Sequence, residues 1–581
     1  MPRPAHHRSS AGITAGLSVV VLLALTGSPA AVLTGRRMLG AGTADTWGHS
    51  WGYGWAAAAL LDGRVPFHPA PVRWPSGQAW WIIDLPVAAL LAPVTWAAGS
   101  GVAANLSLLG MAAGGAAALT AWLTRHGVRP GHAIAAGTLA ATSPFARGAV
   151  TSGVAEALAV LWVPLLALWM SDGLRPRGRM APLVAAGALA AALVLGGAYG
   201  AAAGAAVGAA ALAAAVWRAP GHRGAVCARA MVVFAPAVTA LFALRAALTA
   251  SDHPALASSG GRSIGARPWW TTQAEGGADL ASFFVPAALL PDVPAAPTPH
   301  VHAVYVGAPL AIAALVAAGR HPGARGPLAI GAGMGLLALG PVLQIWGHIV
   351  PGLTLPGAAL WVAGASNLYR LAGVAAVGLL AAVAVAWGRS PRRALGALWV
   401  VIALDGLLAA PLPLRLATVP NPAGPVEAWL AAQPEAGAVL DLPFEHEGTA
   451  ARGAHPQRGL HLQAAHGRPI ASGLYRPPDP AAMPDGVARL DRAIVVARKQ
   501  HHQVTRGAAH GGRSIAVPPP LPARACAEAR ERLAEHGFAF VSLADDAVPP
   551  HQRAAVRAWV EACWGPPASS AEGRSAWRVA P

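Results

Sequence analysis

A chain of 581 residues with 55% hydrophobic and 12% charged side chains, at mean hydropathy +0.47, is neither a string of soluble domains nor a disordered chain. Its 42 basic and 25 acidic residues leave a net charge of +17; on a soluble protein that excess would suggest nucleic acid, so where the charges sit decides the matter. Three cysteines exclude a disulfide-dense scaffold and any metal site needing four thiolates.

An apolar run of about 20 residues crosses a bilayer as a helix. Eleven stretches qualify: 12–33, 102–122, 131–149, 154–171, 181–197, 199–216, 231–249, 303–319, 326–346, 371–387 and 394–411. The first follows Arg3 and Arg8 and ends in small residues around Ser28-Pro29-Ala30, a pattern shared with cleaved leaders. We read it as an uncleaved anchor, and the orientation downstream is the same either way.

Placing the N-terminus inside puts Arg3, Arg8, Arg125, Arg129, Arg175, Arg177, Arg179, Arg218, Arg223, Arg229, Arg320, Arg325, Arg389, Arg392 and Arg393 in the alternate inside loops, against one acid, Asp172. Positive charge stays inside, so the expected orientation is N-in, C-out. Most of the basic excess is then a topology signal and gives no support to nucleic-acid binding. The expected fold is an α-helical polytopic membrane domain over 1–411, followed by an extracytoplasmic α/β domain over 412–581, in the inner (cytoplasmic) membrane.

Three segments face outward in this scheme: the loop 34–101, the loop 250–302 and everything after 411. In the last, apolar strands are expected at Ala438-Val439-Leu440-Asp441-Leu442, Ala493-Ile494-Val495-Val496 and Phe538-Ala539-Phe540-Val541, and helices near 523–536 and 551–562. Cys526 and Cys563 bracket the final helix–strand–helix unit in an oxidising compartment, and a disulfide between them is expected. Cys227 falls in an inside loop and should stay reduced. The apolar segment 85–99 is too short to span and reads as a helix in the interface.

The first outer loop is the richest in chemistry. Trp47, Trp51 and Trp55 recur every four residues, as do Asp45 and His49. On a helix starting near Thr43 they form two neighbouring stripes. Such a helix could simply anchor at the membrane surface, where tryptophan is favoured. Yet a carboxylate, an imidazole, aromatic faces and the arginines Arg64 and Arg73 within one loop also suit a sugar phosphate.

Asp45-Thr46-Trp47-Gly48-His49, the Gly63-Arg64-Val65-Pro66-Phe67 stretch and Trp74-Pro75-Ser76-Gly77 before an amphipathic segment resemble bacterial members of the GT-C superfamily of multi-span glycosyltransferases, which use polyprenyl-phosphate-linked sugars. The likeness continues at Ser152 through Leu158 with Glu156, at Trp162-Val163-Pro164-Leu165, at Asn367-Leu368-Tyr369-Arg370, and at Val439-Leu440-Asp441-Leu442-Pro443. The resemblance implies that Asp45 is the essential outer-loop acid, acting as general base or holding a divalent metal that does. Relatives often carry two acids there, whereas this chain has Thr46 and Trp47, which leaves metal dependence open.

Glu156, at the mouth of the fourth stretch, is a second catalytic candidate, with a salt bridge to Arg147 as its structural alternative. A carboxyl group there is costly unless paired or used. Candidate substrate-binding residues are His49, Trp47, Trp51, Arg64, Arg73, Asn367, Tyr369 and Arg370, with Arg262 and Arg267 as further phosphate clamps. Arg245 and Asp405, toward the outer ends of the seventh and eleventh stretches, read as a neutralising pair, with lining of the cavity as the alternative. The histidines His446, His455, His461, His466, His501, His502 and His510 keep no zinc spacing and read as surface residues.

The expected function is transfer of a sugar from a polyprenyl-phosphate carrier in the bilayer to a glycan, lipid or protein acceptor of the envelope. A transporter or flippase of lipid-linked precursors, and a non-catalytic assembly protein on a degenerate fold, are the alternatives.

Overall fold

The computed structural model describes residues 4–250, 277–289, 304–444, 458–472, 479–505 and 517–579, apart from 43, 65, 67–71, 78–83, 176, 287–288, 347, 363–366, 390–392, 411, 480 and 572. Arg262, Arg267, His446, His455 and His510 lie outside the described residues.

Every one of the eleven apolar stretches carries helix: α1 (Pro4–Thr26), then, after α2 (Ala44–Leu61) and α3 (Leu85–Ala98), α4 (Ser100–Arg125), α5 (Pro130–Ala141), α6 (Pro144–Ser152), α7 (Val163–Gly173), α8 (Met180–Gly196), α9 (Ala198–Arg218), α10 (Arg223–Ala250), α11 (Ala308–Arg320), α12 (Pro322–Ala338), α13 (Ala372–Trp387) and α14 (Arg393–Leu408). Among the described residues six helices are long and apolar enough to cross a membrane: Ser9–Thr26, Ser100–Arg125, Glu156–Gly173, Ala198–Arg218, Pro220–Ala247 and Leu368–Trp387. The chain is thus a helical membrane protein.

The stretch expected at 131–149 is divided. A proline has no backbone N–H and suits the first helical position, and Pro144 restarts the chain as α6 after Ser143 accepts a bond from Ala146 N. α4 is central, packing on α1, α5 and α7. Small residues allow this: a Cβ on Gly115 would stand 2.4 Å from Leu161 Cβ and one on Gly137 2.3 Å from Thr120 Oγ1. α3 packs on α2 and α4 with Leu90 and Trp96 exposed, as suits an apolar helix at a lipid boundary.

A two-stranded antiparallel ribbon joins β1 (Arg37–Leu39), after the first helix, to β4 (Thr418–Pro420), after α14. Between them in sequence, β2 (Val342–Ile345) and β3 (His348–Thr354) form a hairpin. The ribbon ties the start of the segment between α1 and α4 to the C-terminal region.

That region holds α15 (Pro425–Ala432), β5 (Ala438–Leu442), α16 (Arg458–His466), α17 (Asp485–Thr505), α18 (Ala523–Glu535), β6 (Phe538–Ala544), α19 (Arg553–Trp564), β7 (Ser569–Ala571) and β8 (Arg574–Arg578). The sheet runs β5-β6-β8-β7, with β5 parallel to β6 and the other pairs antiparallel. Cys526 on α18 is bonded to Cys563 on α19, and Cys227 is free and exposed.

The strand expected at Ala493–Val496 is instead the middle of α17. Val487, Leu490, Ile494 and Ala497 are buried, at spacings of three and four. That helical period over 21 residues outweighs the local run of β-branched side chains.

Candidate active site

The site is assembled where the start of α2 meets the turn before α7. α6 ends in the left-handed Gly153 (φ +74), and a Cβ there would lie 2.7 Å from Thr46 Cα. Only glycine admits so close an approach in that conformation. It brings α2, carrying Asp45 and His49, against the 3₁₀ turn Glu156–Trp162 that opens with Glu156.

His49 stands between two acids: its Nε2 is 3.1 Å from Glu156 Oε2 and its Nδ1 is 3.6 Å from Asp84 Oδ1. Tyr53, one turn further along α2, donates to the other Asp84 oxygen. Arg370, from the 3₁₀ turn Leu368–Leu371 at the head of α13, donates from a terminal nitrogen to Glu156 Oε1 at 2.7 Å. Its guanidinium lies over the Tyr199 ring at 4.9 Å, and the Tyr199 hydroxyl accepts the Asn367 N–H at 2.9 Å. Arg370, Glu156, Asp84 and Tyr53 are all buried.

Burial alone would lower the His49 pKa, but the Glu156 and Asp84 carboxylates reverse this and hold it well above the usual imidazole range. The imidazole is therefore a cation at neutral pH. Asp45, one turn before His49 and partly exposed, is raised by burial, an effect moderated by His49 and Arg370. Among the described residues its carboxylate makes no hydrogen bond or ion pair, and Arg370 Nε is buried with no partner. The cluster thus presents one uncommitted carboxylate beside two cations.

Glu156 was expected either as a catalytic acid or paired with Arg147. Its carboxylate is instead shared by His49 and Arg370, while Arg147, fully buried, donates to the carbonyls of Gly406 and Pro413 at 3.2 and 2.9 Å. Helix C-terminal carbonyls have no intrahelical donor, and Arg147 satisfies one of them.

The tryptophan stripe faces neither lipid nor an open cleft. Trp47 Nε1 donates to Gly42 O at 2.9 Å, and Trp51 Nε1 to Gln463 Oε1 at 2.7 Å. Trp51, at 0% exposure, stacks on Trp55. α16 lies along this face, so the stripe is core between α2 and the C-terminal region. Its aromatic faces are closed to a sugar.

Arg64 is exposed, pairs with Asp62 and lies over Trp55. Arg73 donates to Ser76 Oγ at 2.9 Å, and its backbone N–H bonds Ser472 O. Among the described residues neither is paired with Asp84 or Glu156. Tyr369 and Asn367 flank Arg370. Asp405 accepts from Tyr305 at 3.0 Å in place of the expected pairing with Arg245.

Two of the supposed surface histidines are buried. His461 bridges Ser50 Oγ through Nδ1 and Asn421 Oδ1 through Nε2, both at 2.9 Å, and His466 Nδ1 accepts the Arg468 N–H. Asp84, Tyr53 and Tyr199 were missed as site residues. Asp84 directly precedes α3 and Tyr53 lies eight residues after Asp45, so helical register could have flagged Tyr53; nothing local marks Tyr199. Among the described residues no group of three histidine, cysteine or acidic side chains is arranged to hold a metal ion.

No family model and no curated protein matches the chain. Among solved structures, it is similar to the mycobacterial arabinofuranosyltransferase AftD, at 16% identity and TM-score 0.48, over 98% of this chain and 41% of that one. The chain thus spans less than half of that protein's length, and a likeness of this degree carries no argument about function.

Proposed function

We propose that the protein is a membrane glycosyltransferase of the GT-C type, which moves a sugar from a polyprenyl-phosphate carrier to an envelope acceptor on the extracytoplasmic face of an N-in, C-out bundle. The C-terminal region from 412 is then an extracytoplasmic domain. The observation that carries the reading is the meeting of Asp45, His49, Glu156 and Arg370 at one end of the helices, from three segments far apart in sequence.

Sugar transfer from a lipid phosphate needs a base for the incoming hydroxyl and positive charge for the departing phosphate. Asp45 is placed for the first role, since its carboxylate is uncommitted and burial raises its pKa above the ordinary carboxylate value. Arg370, with its spare Nε, and cationic His49 are placed for the second. Glu156 holds these two cations in position.

The test is purified full-length protein with a panel of polyprenyl-phosphate sugars, following release of free carrier phosphate in wild type, Asp45→Asn and Glu156→Gln. Release that persists unchanged in Asp45→Asn overturns the base assignment. No turnover with any donor favours a transporter or a non-catalytic assembly protein.

A further inference from the structure

At the other end of the helix pair that carries Glu156 lies a second polar feature, a cavity of about 780 Å³. Its wall comprises the end of α4 (Arg125), the end of α7 (Asp172) and, from the loop that follows, Arg175, Arg177, Gly178 and Arg179, together with His222. The apolar segment Glu156–Gly173 has 18 residues, or about 27 Å at helical rise. That is close to the hydrocarbon thickness of a bilayer. The cavity therefore lies at the opposite headgroup layer from Asp45.

Four guanidiniums face one carboxylate here. Asp172 is engaged by Arg125 at 2.7 Å and by Arg175 at 3.7 Å. Among the described residues neither Arg177 nor Arg179 has a carboxylate partner, and both are exposed. The first turns of α8 and α10 also line the cavity, at Pro182 and Ala225, and helix starts add positive partial charge.

The loop is held in shape. From behind it Arg229 donates to the carbonyls of Gly173 and Gly178, and Gly178 N bonds Arg175 O at 2.8 Å. A Cβ on Gly178 would stand 2.6 Å from Asp172 O, so the turn closes onto the end of α7. Arginines that merely obey the inside-positive bias need no such concavity and no such bracing. Guanidiniums presented on a braced loop suit the tetrahedral, multiply charged oxygens of a phosphate.

We propose that this cavity binds a phosphate group, supplied by the headgroup of an anionic phospholipid in the leaflet opposite the Asp45 site. A phosphodiester oxygen pair would sit between Arg177 and Arg179, with Arg125 and Arg175 balancing Asp172 beneath. This site does not depend on the glycosyltransferase reading.

Native mass spectrometry of the full-length protein in detergent, with phosphatidylglycerol and phosphatidylcholine of matched acyl chains, tests it. Wild type should retain phosphatidylglycerol at least about tenfold over phosphatidylcholine. The double variant Arg177→Ala/Arg179→Ala should lose that preference, and the corresponding double lysine variant should recover part of it. Both positions are exposed, so the fold is unaffected.

Equal retention in the alanine variant overturns the proposal. So does an equal loss in Arg320→Ala/Arg325→Ala, two arginines outside the cavity, because that would mean diffuse attraction only. Inorganic phosphate is the second arm: binding that needs Arg177 and Arg179 without phosphatidylglycerol retention keeps the phosphate site but assigns it a soluble source.

Discussion

Glu156 and Arg370, 214 positions apart in sequence, form a buried ion pair at 2.7 Å, and His49 occupies the other oxygen of the same carboxylate. Removing one partner of such a pair leaves an uncompensated buried charge, at a cost of about 3–5 kcal/mol. Glu156→Ala and Arg370→Ala should therefore each lower thermal stability markedly. The double variant should lose less than the sum, because neither charge is then stranded. Additive losses in thermal unfolding of the purified protein would contradict the pairing.

Asp45 behaves differently because no partner holds its carboxylate. Asp45→Asn breaks no hydrogen bond or ion pair of the carboxylate, so it should change unfolding free energy by no more than about 0.5 kcal/mol, read from thermal unfolding. Transfer should nonetheless fall roughly 10²–10⁴-fold, the usual contribution of a positioned base. A variant that unfolds, or one that retains full turnover, goes against the role assigned to it.

The raised pKa of His49 has a definite sign. Its cationic form, and the stability its two carboxylates confer, is fully present below the unfolded imidazole value and is lost as pH rises through the folded one. Asp84→Asn removes one of these carboxylates, so the alkaline limb of the activity profile should move to lower pH. A pH–rate profile that coincides with wild type would separate Asp84 from the site.

In the C-terminal region the sign is opposite. Burial lowers His461 to about 4 and His466 to about 3, so both stay neutral in the fold while the unfolded chain takes up protons near 6.5. Stability should fall as pH drops from about 6.5 towards 4. His461→Asn should flatten part of that fall, as read from melting temperature against pH. The same variant also cuts the Ser50–His461–Asn421 bridge between α2 and the C-terminal region.

The Cys526–Cys563 bond ties α18 to α19. Replacing both cysteines with alanine should destabilise this region by about 2–4 kcal/mol, the usual range for closing a loop of this kind. Denaturant unfolding followed by tryptophan fluorescence measures this, since Trp559 and Trp564 lie on α19. An unchanged midpoint would show that the bond contributes nothing.

Hydropathy and periodicity are local properties, which is why the apolar helices, the helix opening near Asp45 and the terminal helix–strand–helix pattern were legible from the amino-acid order. The same locality misled at Ala493–Val496, where four apolar residues read as a strand until the buried positions Val487, Leu490, Ile494 and Ala497 are taken together. Asp45, His49, Glu156 and Arg370 could each be nominated from their place at a helix mouth or in a loop. Their partners could not.

The net charge of +17 and its placement in alternate loops follow from the sequence alone, because a charge near a helix end acts through its position along the chain. Tertiary structure decided what the chemistry-bearing residues touch. It turned the Trp47–Trp51–Trp55 stripe into core by laying α16 across it, and it gave Glu156 to Arg370 and His49 while Arg147 went to backbone carbonyls. Asp45 was left as the uncommitted acid. Those outcomes depend on which helices pack together, and at Gly153 they rest on an approach that a single Cβ would block.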